Sequence, residues 1–156
     1  MFSIRRYQPT DKEIVKALYY AGLEQFDADL RIDGYLSLDK DLDNIENVYI
    51  NNGGDFLVGV LDGEFVAMGA LRKLSNTKGE IKRMAVRRDQ QRQGYGQAIF
   101  TRLLQIAVEL GYQELCLDTT AQNLPAQRLY EKLGFVEVRR FQIGRLKVVF
   151  YNKRVN

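Results

Sequence analysis

The chain has 156 residues, 46% apolar and 28% charged, with a net charge of +3, one cysteine and no histidine. That is long enough to bury a core without disulfides or metal, and too weakly basic to argue for nucleic acid. No run approaches the roughly 18 apolar residues of a membrane helix, the N-terminal residues lack a signal core, and Cys116 has no partner for a disulfide. The expectation is a single cytoplasmic domain over residues 1–156, without nucleic-acid or membrane partners. The charge is uneven. Residues 27–46 carry seven acids against Arg31 and Lys40, a local charge of −5. One end of the molecule is thereby expected to suit a cation and the other an anion.

In chain order, Phe2–Tyr7 alternates as a strand. Thr10 and Glu13 have the spacing of a capping box. Val15, Leu18, Tyr19, Leu23 and Phe26 then follow at helical intervals. A second helix is predicted from about Asp39 to Ile50. Strands Asp55–Leu61 and Glu64–Leu74 flank Asp62-Gly63, a two-residue hairpin signal. A strand over 80–86 leads to a helix, Gly96–Leu110, burying Ile99, Leu103, Ile106, Ala107 and Leu110. Strand Glu114–Thr119, a helix at Pro125–Leu133 and strands Phe135–Gln142 and Arg145–Lys153 complete the chain. The order β-α-α-β-β-β-α-β-α-β-β implies an α/β domain on a mixed sheet of about seven strands with about four helices.

The run Glu80 to Gly96 carries the chemistry. A short strand enters a basic, Gln-rich loop that closes on Gly94 and Gly96, and a helix starts at once. Glycines let several backbone N–H groups converge ahead of a helix N-terminus, which suits a pyrophosphate. Other nucleotide motifs fit worse. No Gly-x-x-x-x-Gly-Lys-Ser/Thr occurs. A dinucleotide fingerprint would need a third glycine where Ile99 stands. The acidic stretch is no calcium loop, because Arg31 and Lys40 fall on ligand positions.

This order and these motifs resemble the GNAT superfamily of acetyl-CoA-dependent N-acetyltransferases. The family's loop pattern, Gln/Arg-x-x-Gly-x-Gly/Ala, stands here as Gln91-Arg92-Gln93-Gly94-Tyr95-Gly96. A second family segment, Asn-x-x-Ala-x-x-Leu-Tyr-x-x-x-Gly-Phe, is present as Asn123, Ala126, Leu129, Tyr130, Gly134 and Phe135. The resemblance implies acetyl-CoA as co-substrate, with no metal. It further implies that Met84, Ala85 and Val86 pair with the pantetheine arm. The loop from Gln91 through Arg92, Gln93, Gly94, Tyr95 and Gly96 to Gln97 would hold the pyrophosphate. Arg87, Arg88 or Arg92 would reach the 3′-phosphate. Asn123 either caps its helix or bonds the coenzyme.

Acetyl transfer needs a neutral amine, and an alkylammonium of pKa about 10.4 is deprotonated at pH 7 only at roughly 4–5 kcal/mol. Without histidine, the base falls to a carboxylate, a tyrosine, a backbone carbonyl or water. Glu80, where some family members place a glutamate, is the first candidate. Tyr130 matches the family's tyrosine near the coenzyme sulfur and would donate to the leaving thiolate. Cys116 sits between leucines in a strand expected to be buried on both faces, so an inert thiol and direct attack in a ternary complex are expected. For the acceptor, Asp27, Asp29, Asp33 and Tyr35 would attract an amine, and Arg139, Arg140 and Arg145 a carboxylate. A small amine or amino acid is favoured. The alternatives are a protein acetyltransferase acting on lysine or an N-terminus, and a non-catalytic acetyl-CoA-binding domain. The final strand is available for a homodimer.

Overall fold

The computed structural model describes residues Met1–Asn156. Its centre is a seven-stranded sheet: β1 (Phe2–Arg6), β2 (Asp55–Leu61), β3 (Glu64–Lys73), β4 (Lys78–Val86), β5 (Glu114–Thr120), β6 (Val136–Ile143) and β7 (Leu146–Arg154). The spatial order is β1-β2-β3-β4-β5-β7-β6, and only β4 and β5 run parallel. Asp62 and Gly63 both have positive φ (51° and 85°), the two-residue turn expected between β2 and β3. The final strand β7 lies between β5 and β6. The free edge on that side is therefore β6, contrary to the expectation for the last strand.

The helices are α1 (Lys12–Gln25), α2 (Ile45–Val48), α3 (Tyr95–Glu109) and α4 (Leu124–Lys132). Helices α3 and α4 cover one face of the sheet, where Ile99, Phe100, Leu103, Ile106 and Tyr130 join Leu71, Ile81, Leu115 and Leu117. Helix α1 and the turns after it cover the other, where Val15, Leu18, Leu42, Ile45 and Tyr49 meet Phe56, Val58 and Met68. Leu110, expected inside, is 50% exposed, because α3 ends at Glu109 and the chain turns away at Gly111.

Two local expectations are corrected. The N-terminal cap of the first helical segment is built by Asp11, whose carboxylate accepts the Gln8 N–H at 2.8 Å, and not by Thr10 with Glu13. The helix expected over Asp39–Ile50 is instead a 3-10 turn at Lys40–Asp43, the single turn α2, and another 3-10 turn at Ile50–Asn52. Leu42, Ile45 and Tyr49 keep helical spacing and are all buried. No side chain caps these short segments; Asp39 and Asp41 turn instead to Arg83 and Asp43 to Lys16.

Strands β4 and β5 position the site. They pair over only three residues, ending at Glu80 opposite Cys116. Beyond that point β4 stays with β3 while β5 follows β7. The two strands part, leaving the Met84–Val86 edge without a β5 partner. A bulge opposite Gly69 drives the divergence. Arg83 there has φ +59°, so Lys82 and Arg83 both point to the α1 face, while Met84 packs toward α3.

Candidate active site

A cleft of about 770 Å³ opens where β4 and β5 separate. At one end stands the N-terminus of α3. Gly94 takes φ +84°, and a side chain there would meet no atom, so backbone conformation is what demands glycine. A Cβ on Gly96 would come within 3.2 Å of Val86 Cγ2, so its absence lets the loop close on the end of β4. Gly94 provides no side-chain cap, which leaves the first-turn N–H groups of α3 facing the cleft. Donors, helix dipole and an unpaired β4 edge along one wall fit a diphosphate followed by an amide-bearing arm. The residues present therefore fit coenzyme A.

Of the residues expected to hold the coenzyme, Met84, Ala85, Val86, Gln91, Arg92, Gly94, Tyr95, Gly96, Gln97 and Asn123 all line this cleft; Gln93 does not. The Gln91 side chain has a structural role. Its Nε2 donates to Val86 O (3.0 Å) and Gln25 Oε1 (2.8 Å), tying the loop to α1. Asn123 Oδ1 accepts the Ala126 N–H at 3.2 Å and so caps α4. Among the three arginines, Arg87 is engaged by Asp89 and Glu64. Arg92 lines the cleft and is exposed.

Deeper in, Tyr130 is 6% exposed and packs against Phe100, Phe135 and Tyr151. It is thus a core tyrosine and a cleft residue at once. Burial holds its phenol protonated far above the ordinary range, so it serves as a hydrogen-bond donor. Cys116 is 2% exposed, and burial lifts its thiol to about 11, which leaves it inert as a nucleophile.

Glu80 stands at the apex of the separation, as the last β4 residue paired with β5. Burial raises its carboxyl; Lys82 opposes that shift and Asp118 adds to it. Asp118, two residues past Cys116 on β5, lines the same cleft. Its carboxyl is open to the water of the cleft but enclosed by its walls; burial raises it, with Lys82 and Arg83 opposing. Neither carboxylate has a hydrogen bond from the protein. Sequence reasoning missed Asp118 as a site residue, because its proximity to Glu80 arises from the parallel register of β4 and β5.

The acidic run is a set of internal ion pairs. Asp41 binds Arg83 through both oxygens (2.9 and 2.6 Å), and Asp39 adds a bond at 3.2 Å. Tyr19 OH and Leu38 O take the remaining Arg83 donors, at 2.7 and 3.2 Å. Burial tends to raise the Asp41 carboxyl, but the Arg83 guanidinium holds it below the ordinary value. Asp43 pairs with Lys16 and Asp29 with Arg31. Arg145 reaches Asp33 at 2.9 Å and Asp27 at 3.2 Å, and Arg140 pairs with Glu137. Arg139 lies over Phe141 and Phe150. The charges expected to capture the acceptor thus mostly satisfy one another.

The sequence pattern that defines the Acetyltransferase (GNAT) family matches residues 18–135. The chain belongs to this family. Among similar proteins, N-acetylaspartate synthetase of Xenopus tropicalis is 34% identical over 104 residues, 65% of this chain and 38% of that protein. The chain thus spans only about four-tenths of that relative. A GNAT-family acetyltransferase from Staphylococcus aureus superposes with a TM-score of 0.88 at 22% identity, covering 100% of both chains. YncA of Salmonella typhimurium, solved with its cofactor acetyl-CoA, has a TM-score of 0.78 at 18% identity, covering 99% of this chain and 94% of its own. These solved structures carry the GNAT fold, the mixed seven-stranded sheet described above. No helix here is long and apolar enough to cross a membrane.

Proposed function

We propose that this GNAT member moves the acetyl group of acetyl-CoA to the primary amine of a small molecule by direct attack. The observation that carries the reading is the shared cleft. It brings the uncapped first turn of α3, the free edge of β4, the Tyr130 phenol and the half-buried Glu80 into one space. Acetyl-CoA supplies the activated thioester, and the chain supplies positioning and proton handling.

Gln91–Gln97 present amide hydrogens to the diphosphate, and Met84–Val86 receive the arm as an added strand. Glu80 accepts a proton from the incoming ammonium, and its raised pKa narrows the gap to that amine. The neutral nitrogen forms the C–N bond as the C–S bond breaks. Tyr130 donates a hydrogen bond to the departing sulfur, which takes one of the two protons shed by nitrogen; the other leaves through Glu80 to water. Full transfer from so weak an acid to a thiolate would be uphill, so its contribution is stabilisation of charge.

A small acceptor is favoured over a polypeptide by the ion-paired strap beyond the far end of the cleft. Arg145, on the β6–β7 turn, bridges to Asp33 and Asp27, and the Tyr35 ring lies against Gly144. This strap ties residues 27–35 to the β6–β7 turn, across the path a polypeptide would take beyond the cleft. Similarity to a synthetase named for N-acetylaspartate points the same way. The test is thiol release from acetyl-CoA with a panel of amino acids, polyamines and lysine peptides. Turnover of small amines is expected. Turnover of peptides alone, or coenzyme binding with no turnover, contradicts the proposal.

A further inference from the structure

Three charged side chains on the cleft floor have no partner within the protein. Glu80 and Lys82 alternate along β4 and so share a face, and Asp118 stands beside them on β5. Of the other charged groups of the acceptor end, Arg31 pairs with Asp29, Arg83 with Asp39 and Asp41, and Arg145 with Asp27 and Asp33, while Arg139 lies over Phe141 and Phe150. The five donors of Arg83 are all taken, so it has none to offer a ligand. Glu80 and Lys82 are half-buried, and a half-buried charge without a partner carries a solvation penalty that a complementary ligand removes.

Beyond the floor, the wall is apolar. Ala28, Leu30 and Leu146 form a small cluster with Leu23 and Ile143 packed against it, and all five line the cleft. This cluster joins the end of α1 and the strap to the β6–β7 hairpin.

We infer that the acceptor is a free α-amino acid with an apolar side chain, its amine between Glu80 and Asp118 and its carboxylate on Lys82. The inference rests on the acetyl-transfer reading above and specifies its substrate. An ammonium between the two carboxylates relieves their mutual repulsion and places its proton beside Glu80. An amine lacking a carboxylate leaves the Lys82 ammonium unpaired and close to a second positive charge. An acidic side chain would enter the apolar wall, where the nearby Arg145 is already neutralised. A peptide N-terminus carries an amide where Lys82 calls for a carboxylate. Lys82 is thus the residue that sets specificity, and Asp118 the second carboxylate of the amine site.

The test compares kcat/KM, by thiol release from acetyl-CoA, for L-leucine, 3-methylbutylamine (the same molecule without its carboxylate), L-aspartate and a leucyl peptide. L-leucine should exceed each of the others by roughly tenfold or more, the worth of a charged hydrogen bond. Lys82→Gln should bring leucine and 3-methylbutylamine to similar values by raising KM for leucine, and Lys82→Arg should restore the preference. The inference is overturned if Lys82→Gln lowers both substrates in proportion, or if aspartate or the bare amine is preferred by the native protein. Either result leaves acetyl transfer itself standing. If no acceptor in the set is turned over and coenzyme A does not bind, the transfer reading fails as well.

Discussion

Glu80 and Asp118 illustrate how one residue's behaviour is set by a neighbour on another strand. Glu80 is raised first by burial and then by the negative charge of Asp118, with Lys82 pulling the other way. As a base it must be ionised, so activity should rise with pH along an acidic limb set above the ordinary glutamate value. Asp118→Asn removes a negative charge and should shift that limb to lower pH. Glu80→Gln should abolish it and lower kcat by about 10²–10⁴. An acidic limb in the same place for both variants would show that neither carboxylate handles the proton.

Among the elements, the β4 bulge has the largest structural consequence. It places Arg83 at φ +59° and drives its side chain between α1 and the turns at 38–43. The Arg83 and Asp41 side chains are only 7% and 11% exposed. Arg83→Met would leave Asp41 and Asp39 buried without their partner, at a cost of about 3–5 kcal/mol in urea unfolding. The pH dependence follows from Asp41, whose carboxyl is depressed in the fold. Its pairing contributes fully above the ordinary carboxylate pKa and is lost as pH falls through the depressed one. The difference between variant and parent should be largest near neutral pH and shrink as pH falls, first as the unpaired carboxyls of the variant, raised by burial, take up protons and then as Asp41 of the parent does. An unchanged midpoint would mean that the bulge is held by strand pairing alone.

These elements also show what a reader of the sequence has access to. The loop and helix at 91–110 were legible because their main signals are local: two glycines, a basic turn and a 3.6-residue apolar period. The β2–β3 hairpin was legible for the same reason. The acidic run misled because most of its partners are remote. Asp41 meets Arg83 across 42 residues, and Asp27 meets Arg145 across 118. The break in the Asp39–Ile50 helix escaped a correct apolar period because Asp39, Asp41 and Asp43 turn to Arg83 and Lys16, which are remote in the sequence. Asp118 became visible as part of the site only once β4 and β5 were set in register.

At the scale of the whole molecule, two layers of helix on one sheet leave this cleft open because one strand pair stops early. An ion-paired strap stands beyond one end of that opening, and the other end is rimmed by α3 N–H groups and Arg92. The central claim is that this second end grips the diphosphate of coenzyme A. Calorimetric titration of coenzyme A into the purified protein tests it most directly, beside Gly96→Val, whose side chain would enter the space 3.2 Å from Val86. The account predicts saturable heat with the parent chain and binding weakened about tenfold or more in a variant that keeps its fold by circular dichroism. No heat with the parent chain, or equal affinity in the folded variant, would contradict it.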